Sequence, residues 1–210
     1  MTEKYQVLNL YAGIGGNRKL WDNVEVVAVE NNKEIADIYR KHFPNDKVII
    51  ADAHQYLYEN YNEGWHFIWS SPPCPTHSRI RNIAGVGCGQ NKPVYPDMRL
   101  YEEIIFLNQV YHSSGTTFNG MFCVENVASY YKPLIKPLEI GRHYFWTNFH
   151  ITPFKIDTRG HMESNKHLME IKGFNVDDRT LLRNCTEPEL GKHIFDCALK
   201  FQQKELLEVR

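Results

Sequence analysis

Short apolar runs alternate with helix-patterned segments along most of this chain, and the alternation restricts the fold more than any other feature. Gln6–Tyr11, Val24–Val29, Lys47–Ala51, Trp65–Trp69 and Gly120–Val124 read as buried strands, and His143–Trp146 begins another. Between them, Lys33–His42 and Ala53–Tyr61 carry helical spacing. Asp97–Tyr111 sets Leu100, Ile104, Leu107 and Tyr111 on one helical face. Glu187–Leu207 aligns Leu190, Ile194, Cys197 and Phe201 in the same way. Residues 74–96 carry glycines and prolines and read as irregular. Such alternation predicts an α/β fold, with a mostly parallel sheet flanked by helices.

In sheets of this kind ligands bind beyond the carboxyl ends of the strands. Those ends hold the chemistry-bearing residues. Tyr11-Ala12-Gly13-Ile14-Gly15-Gly16 follows the first strand, Glu30 and Asn31 the second, and Asp52 and Ala53 the third. Ser71-Pro72-Pro73-Cys74-Pro75 follows the fourth, and Glu125, with Asn126-Val127 after it, ends the fifth. All fall on one rim.

The glycines let backbone approach a ligand closely and turn tightly into the next element. Lys-Ser/Thr does not follow, so the loop is not a phosphate P-loop. Glu30 is placed to accept hydrogen bonds from a ribose diol, and Asp52 to meet an adenine amino group. Together they outline an adenosine pocket, for a dinucleotide or for S-adenosylmethionine. Cys74 sits in a turn made rigid by prolines, a setting for an exposed nucleophile. Arg79, Arg81 and His77 are nearby candidates for the positive potential that a thiolate needs. Glu125 at the end of an apolar strand suits a hydrogen-bond donor or general acid.

The 210 residues suffice for one domain with a sizeable core. No apolar run reaches the roughly 20 residues that span a bilayer, and the first residues show no signal-peptide pattern. The expected partners therefore exclude a membrane. Five scattered cysteines without a CxxC pair point to reduced thiols in a cytoplasmic setting, and give no zinc pattern. A net charge of −1 requires any nucleic-acid contact to come from local basic clusters.

These motifs, in this order, resemble the C5-cytosine DNA methyltransferase family. The similar segments are Leu8–Gly16, Val29-Glu30, Asp52, Ser71–Ser78, Asp97–Tyr101, Glu125–Val127, Arg142–Asn148 and Leu182–Glu189. The resemblance implies a Rossmann-like S-adenosylmethionine-dependent methyltransferase fold acting on double-stranded DNA. It implies that the Cys74 thiolate attacks C6 of a flipped cytosine, that Glu125 holds N3 and the exocyclic amine, and that Arg142 contacts O2. The cofactor would be held by Tyr11, Ala12, Gly13, Ile14, Gly15, Gly16, Glu30, Asn31, Asp52, Ala53 and Pro72. The substrate would meet Pro73, Ser78, Arg79, Arg81, Asn126 and Val127, and no metal is implied. Residues 76–96 would be a loop that closes over the base.

Several positions depart from the family pattern. Asn9 replaces the usual Asp, and Pro75 the common Gln after the cysteine. Only Glu139–His143 stands for the Gln-x-Arg-x-Arg segment, and Arg183 precedes Asn184 in place of Gly. The implied organisation is a catalytic, cofactor-binding domain over 1–150 and a minimal target-recognition segment over 151–180. Residues 181–210 would form a C-terminal helix packing back on the catalytic domain. So small a recognition segment implies a short or relaxed target sequence, or help from a recognition partner or a homo-oligomer. Three alternatives stay open: a tRNA cytosine-5 methyltransferase, an N4-cytosine methyltransferase, and a non-catalytic DNA-binding relative.

Overall fold

The structure, a computed structural model, describes residues 3–79, 94–112, 118–155 and 164–208, with the side chains of 112 and 203–208 left aside. Seven strands form one sheet in the order β3-β2-β1-β4-β5-β7-β6. They are β1 (Tyr5–Leu10), β2 (Val24–Val29), β3 (Lys47–Ile49), β4 (Phe67–Ser70), β5 (Met121–Val127), β6 (Leu138–Ile140) and β7 (His143–Thr147). The helices are α1 (Lys33–His42), α2 (Ala53–Asn60), α3 (Arg99–His112), α4 (Asn165–Lys172), α5 (Arg179–Asn184) and α6 (Pro188–Glu208). Strands β1 to β5 run parallel, and β7 is antiparallel to both β5 and β6. This is the expected Rossmann-like α/β fold. Strand order reverses at β1 and β4, which opens a crevice at their carboxyl ends.

Both faces of the sheet are covered, so the central strands read as continuous apolar runs rather than alternating ones. On one face Val7, Phe67 and Trp69 pack with Trp21, Tyr39 and the α6 residues Leu190, Ile194 and Phe195. On the other, Leu8, Ile68, Phe122 and Val124 pack with Leu57 of α2 and Leu100, Ile104 and Leu107 of α3. A smaller cluster joins Ile14 to Leu168, Phe174, Val176 and Leu182. Leu168, Phe174 and Val176, from within 151–180, thereby share a cluster with Ile14 of the glycine loop. Among the described residues no helix is long and apolar enough to cross a membrane.

One boundary corrects the sequence reading. Glu125 does not end its strand, because β5 continues through Asn126 to Val127. The cause is β7, whose antiparallel ladder pairs Cys123–Val127 with His143–Thr147. The short β6, α4 and α5 were not expected from the sequence.

Candidate functional site

The rim gathers the motifs around one cleft of about 470 Å³, within the usual range for small-molecule sites. One end is lined by Tyr11, Ala12, Gly13, Ile14, Gly16 and Ile35, the other by Ser71–Pro75, Ser78, Glu125, Asn126, Val127, Arg142 and His143. Residues from Arg179 to Thr186, at α5 and beyond, complete the wall.

The glycine loop leaves β1 through Tyr11, whose φ of 53° is unusual for a residue with a side chain. Its hydroxyl donates to Glu103 Oε1 at 2.6 Å. Glu103, almost fully buried, also accepts from Ser70 Oγ at 2.5 Å and lies 2.9 Å from His54 Nδ1. Burial, and then the Glu103 carboxylate, push the Tyr11 hydroxyl far above its ordinary pKa, so it remains a donor. Gly13 has φ 54°, and a side chain there would meet nothing within 4 Å. Gly16 is crowded: a Cβ there would lie 2.1 Å from Cys185 Sγ.

The acids stand behind this loop rather than on the cleft wall. Glu30 is buried, with Oε2 accepting from Gly13 N at 3.0 Å and Oε1 from Asn32 N at 2.9 Å. It therefore ties the glycine loop to the end of β2. Asp52 caps α2 by accepting from Gln55 N at 3.0 Å. Asn31 and Asp52 are exposed, and Ala53 is buried.

At the other end the Pro-Pro-Cys turn is braced from β5. Asn126 Nδ2 donates to Pro72 O at 2.9 Å, and Ser71 Oγ donates to Glu125 Oε2 at 2.7 Å. Trp69 Nε1 donates to the same Ser71 Oγ at 2.7 Å. Beyond the turn, His77 N and Ser78 N both donate to Cys74 O. Cys74 is partly exposed. Burial first, and then the Glu125 carboxylate, push its thiol up to about 11, opposed by a local backbone hydrogen bond and by Arg142.

Positive charge near Cys74 comes from a residue distant in sequence. Arg79 is drawn aside, with Nε donating to Ser129 O at 3.0 Å and Nη2 to Tyr144 OH at 3.3 Å. His77 is nearly fully buried 2.6 Å from Tyr131 OH, and burial lowers its pKa. Among the described residues, Arg142 is the cation that acts on Cys74. It is held by donating from Nη2 to Arg183 O at 3.1 Å, with Glu187 at 3.8 Å. Arg81 lies outside the described residues, as does most of the loop expected over 76–96.

His143, Glu187 and Lys172 escaped the sequence reading. His143 Nδ1 lies 2.5 Å from Glu125 Oε1. Its Nε2 faces Glu187 Oε2 at 3.6 Å, and Lys172 Nζ pairs with Glu187 at 3.0 Å. Burial works to raise the Glu187 carboxyl, but Lys172, His143 and Arg142 outweigh it and hold it below its usual value. Lys172 also donates to Cys185 O at 2.6 Å. The signal for His143 was antiparallel pairing. Val127 opposes His143 and Glu125 opposes Phe145, so His143 and Glu125 are diagonal neighbours on one face.

Comparison with known proteins follows the same part of the chain. Residues 5–105 match the model of the C-5 cytosine-specific DNA methylase family. No curated protein matches. Among solved structures, a Spodoptera frugiperda DNMT2 mutant is 25% identical over 59% of this chain and 36% of its own, with a TM-score of 0.39. Dnmt2 of S. pombe is 21% identical over 60% and 37%, with a TM-score of 0.40. The Entamoeba histolytica methyltransferase EhMeth is 17% identical over 78% and 58%, with a TM-score of 0.41. The chain thus spans little more than a third of the length of the two DNMT2 structures. The similarity to the C-5 cytosine-specific DNA methylase family thus runs from β1 into α3, over residues 5–105.

Proposed function

We propose that this chain transfers a methyl group from S-adenosylmethionine to C5 of cytosine in DNA, through a covalent adduct of Cys74 with a flipped base. The observation that carries the reading is the shared cleft, with a glycine loop at one end and Cys74, Glu125 and Arg142 at the other. The cofactor fits the residues present, because the Gly13 position opens onto free space where a Cβ would stand. Tyr11–Gly16 and Pro72 would line it, and Glu30 would act on it through the glycine loop that it ties in place. When bound, it supplies an electrophilic methyl group.

The chain's own residues do the rest. C5 of cytosine is a poor nucleophile, and addition at C6 makes it a good one. Cys74 bonds to C6 as its thiol proton passes to the Glu125 carboxylate, which hands that proton on to N3, so the added electron pair collects at C5. Arg142 holds O2. Once C5 carries the methyl group, its proton passes to solvent water; the Cys74–C6 bond then breaks and N3 returns its proton through Glu125 to the sulfur, which restores the ring and the cysteine. General acid assistance of this kind contributes about 10²–10⁴-fold. The base has to leave the stack to be reached, at an expense of a few kcal/mol. Pro73, Ser78, Arg79, Arg81, Asn126 and Val127 would border the extruded base and its flanks.

The test uses duplex DNA containing 5-fluorocytosine, incubated with protein and cofactor. Fluorine blocks the final proton loss, so the expected result is a denaturation-resistant adduct that disappears in Cys74→Ala. The same incubation with tRNA separates the two nucleic acids. No adduct on any cytosine-containing DNA or RNA would overturn the reading.

A further inference from the structure

Glu125 enters the cleft from within β5, and both of its oxygens are gripped from behind. Ser71 Oγ donates to Oε2 at 2.7 Å, and His143 Nδ1 lies 2.5 Å from Oε1. An ionised carboxylate only accepts, which puts the shared proton on Nδ1. His143 is itself 5% exposed. Its ring is fixed by the β5–β7 ladder on one side and faced by Glu187 on the other. Nε2 of His143 and Oε2 of Glu187 are both buried without a hydrogen-bond partner, 3.6 Å apart. Lys172, 3.0 Å from Glu187, supplies the opposite charge that a buried carboxylate needs.

We infer that His143 is the positioning residue of Glu125, fixing through its Nδ1–H which oxygen of the carboxyl turns toward the substrate base. The inference rests on the proposed reading, in which Glu125 meets that base. A glutamate has three side-chain torsions, and a displacement of about 1 Å at a reacting group can lower the rate about 10²-fold. Ser71 alone fixes one oxygen and leaves rotation about the Ser71 bond. The second grip, from a buried ring, removes that freedom. Its place two residues from the Phe145 partner of Glu125 makes the contact a diagonal one across a single antiparallel ladder.

The experiment measures steady-state methyl transfer from labelled S-adenosylmethionine to cytosine-containing duplex DNA, together with proton NMR of the imidazole N–H. In His143→Ala, kcat is expected to fall about 10²-fold while KM for the cofactor stays unchanged, because the glycine loop is untouched. In His143→Asn, whose amide nitrogen takes the place of Nδ1, most of that loss is expected to be recovered. The wild type is expected to show a slowly exchanging, downfield ring N–H resonance that moves upfield in Glu125→Gln. A His143→Ala enzyme within about twofold of wild-type kcat would overturn the inference. So would a ring resonance indifferent to Glu125→Gln. Absence of methyl transfer and of a Cys74 adduct in the wild type would instead overturn the parent reading. The resonance would then still decide the His143–Glu125 link.

Discussion

Cys74 rests as a neutral thiol near neutral pH, since burial and the Glu125 carboxylate push it up to about 11. Alkylation requires the thiolate. The rate of iodoacetamide labelling at Cys74, followed on its own peptide by mass spectrometry, is therefore expected to keep rising with pH through that value. Glu125→Gln removes a negative charge and is expected to shift the profile to lower pH, whereas Arg142→Met removes the opposing cation and shifts it higher. A profile centred near the ordinary value of 9, or one indifferent to both substitutions, would contradict this balance of charge and burial. Much of this site could be read from sequence. Cys74, Glu125 and Arg142 do line one cleft, because each motif lies at or near the rim end of a sheet strand. Of the candidates for the helping cation, Arg79 and His77 make other contacts, and Arg81 lies outside the described residues. Sequence proximity put those residues near Cys74, but the turn after Cys74 directs Arg79 to Ser129 and Tyr144.

At the scale of elements, the glycine loop is shaped by what presses on it. The junction of α5 and α6 lies so close that a Cβ on Gly16 would stand 2.1 Å from Cys185 Sγ and 2.4 Å from Thr186 O. Backbone on one side and a buried thiol on the other leave little room to yield. Gly16→Ala is expected to destabilise the protein by about 1–3 kcal/mol. The corresponding fall in Tm is about 2–4 °C per kcal/mol for a chain of this size, measurable by thermal denaturation. An unchanged melting temperature would mean that the junction moves freely. Strands β1 to β5 and helices α1 to α3 were legible because apolar runs and helical spacing are local. Strand β6 was not, since Leu138–Ile140 has only three residues and two are exposed. The ladder that carries β5 past Glu125 also went unseen, because it depends on pairing with a strand distant in sequence.

For the molecule as a whole, a net charge of −1 gives no general attraction to a polyanion. The proposed DNA contact has to be made by local cations, and Arg179 and Arg183 on the cleft wall are placed for it. Arg179→Ala and Arg183→Ala are each expected to weaken binding to duplex DNA uniformly across sequences. Each is expected to reduce the slope of log K against log salt by about 0.9, the share of one neutralised phosphate. Unaltered salt dependence in the double variant would place the nucleic acid on another surface. Packing has its own reach along the chain. Trp21 Nε1 donates to Gly191 O at 3.1 Å, and Trp21 stacks on Phe195 with ring centres 5.2 Å apart. A nascent chain makes the glycine loop well before the helix that seals the adjoining sheet face. Until residues 188–198 clear the ribosome, Val7, Phe67 and Trp69 lack their cover. The sheet face beside the loop is thus completed only after that helix emerges, and a ribosome-stalled fragment would present a sticky sheet to chaperones.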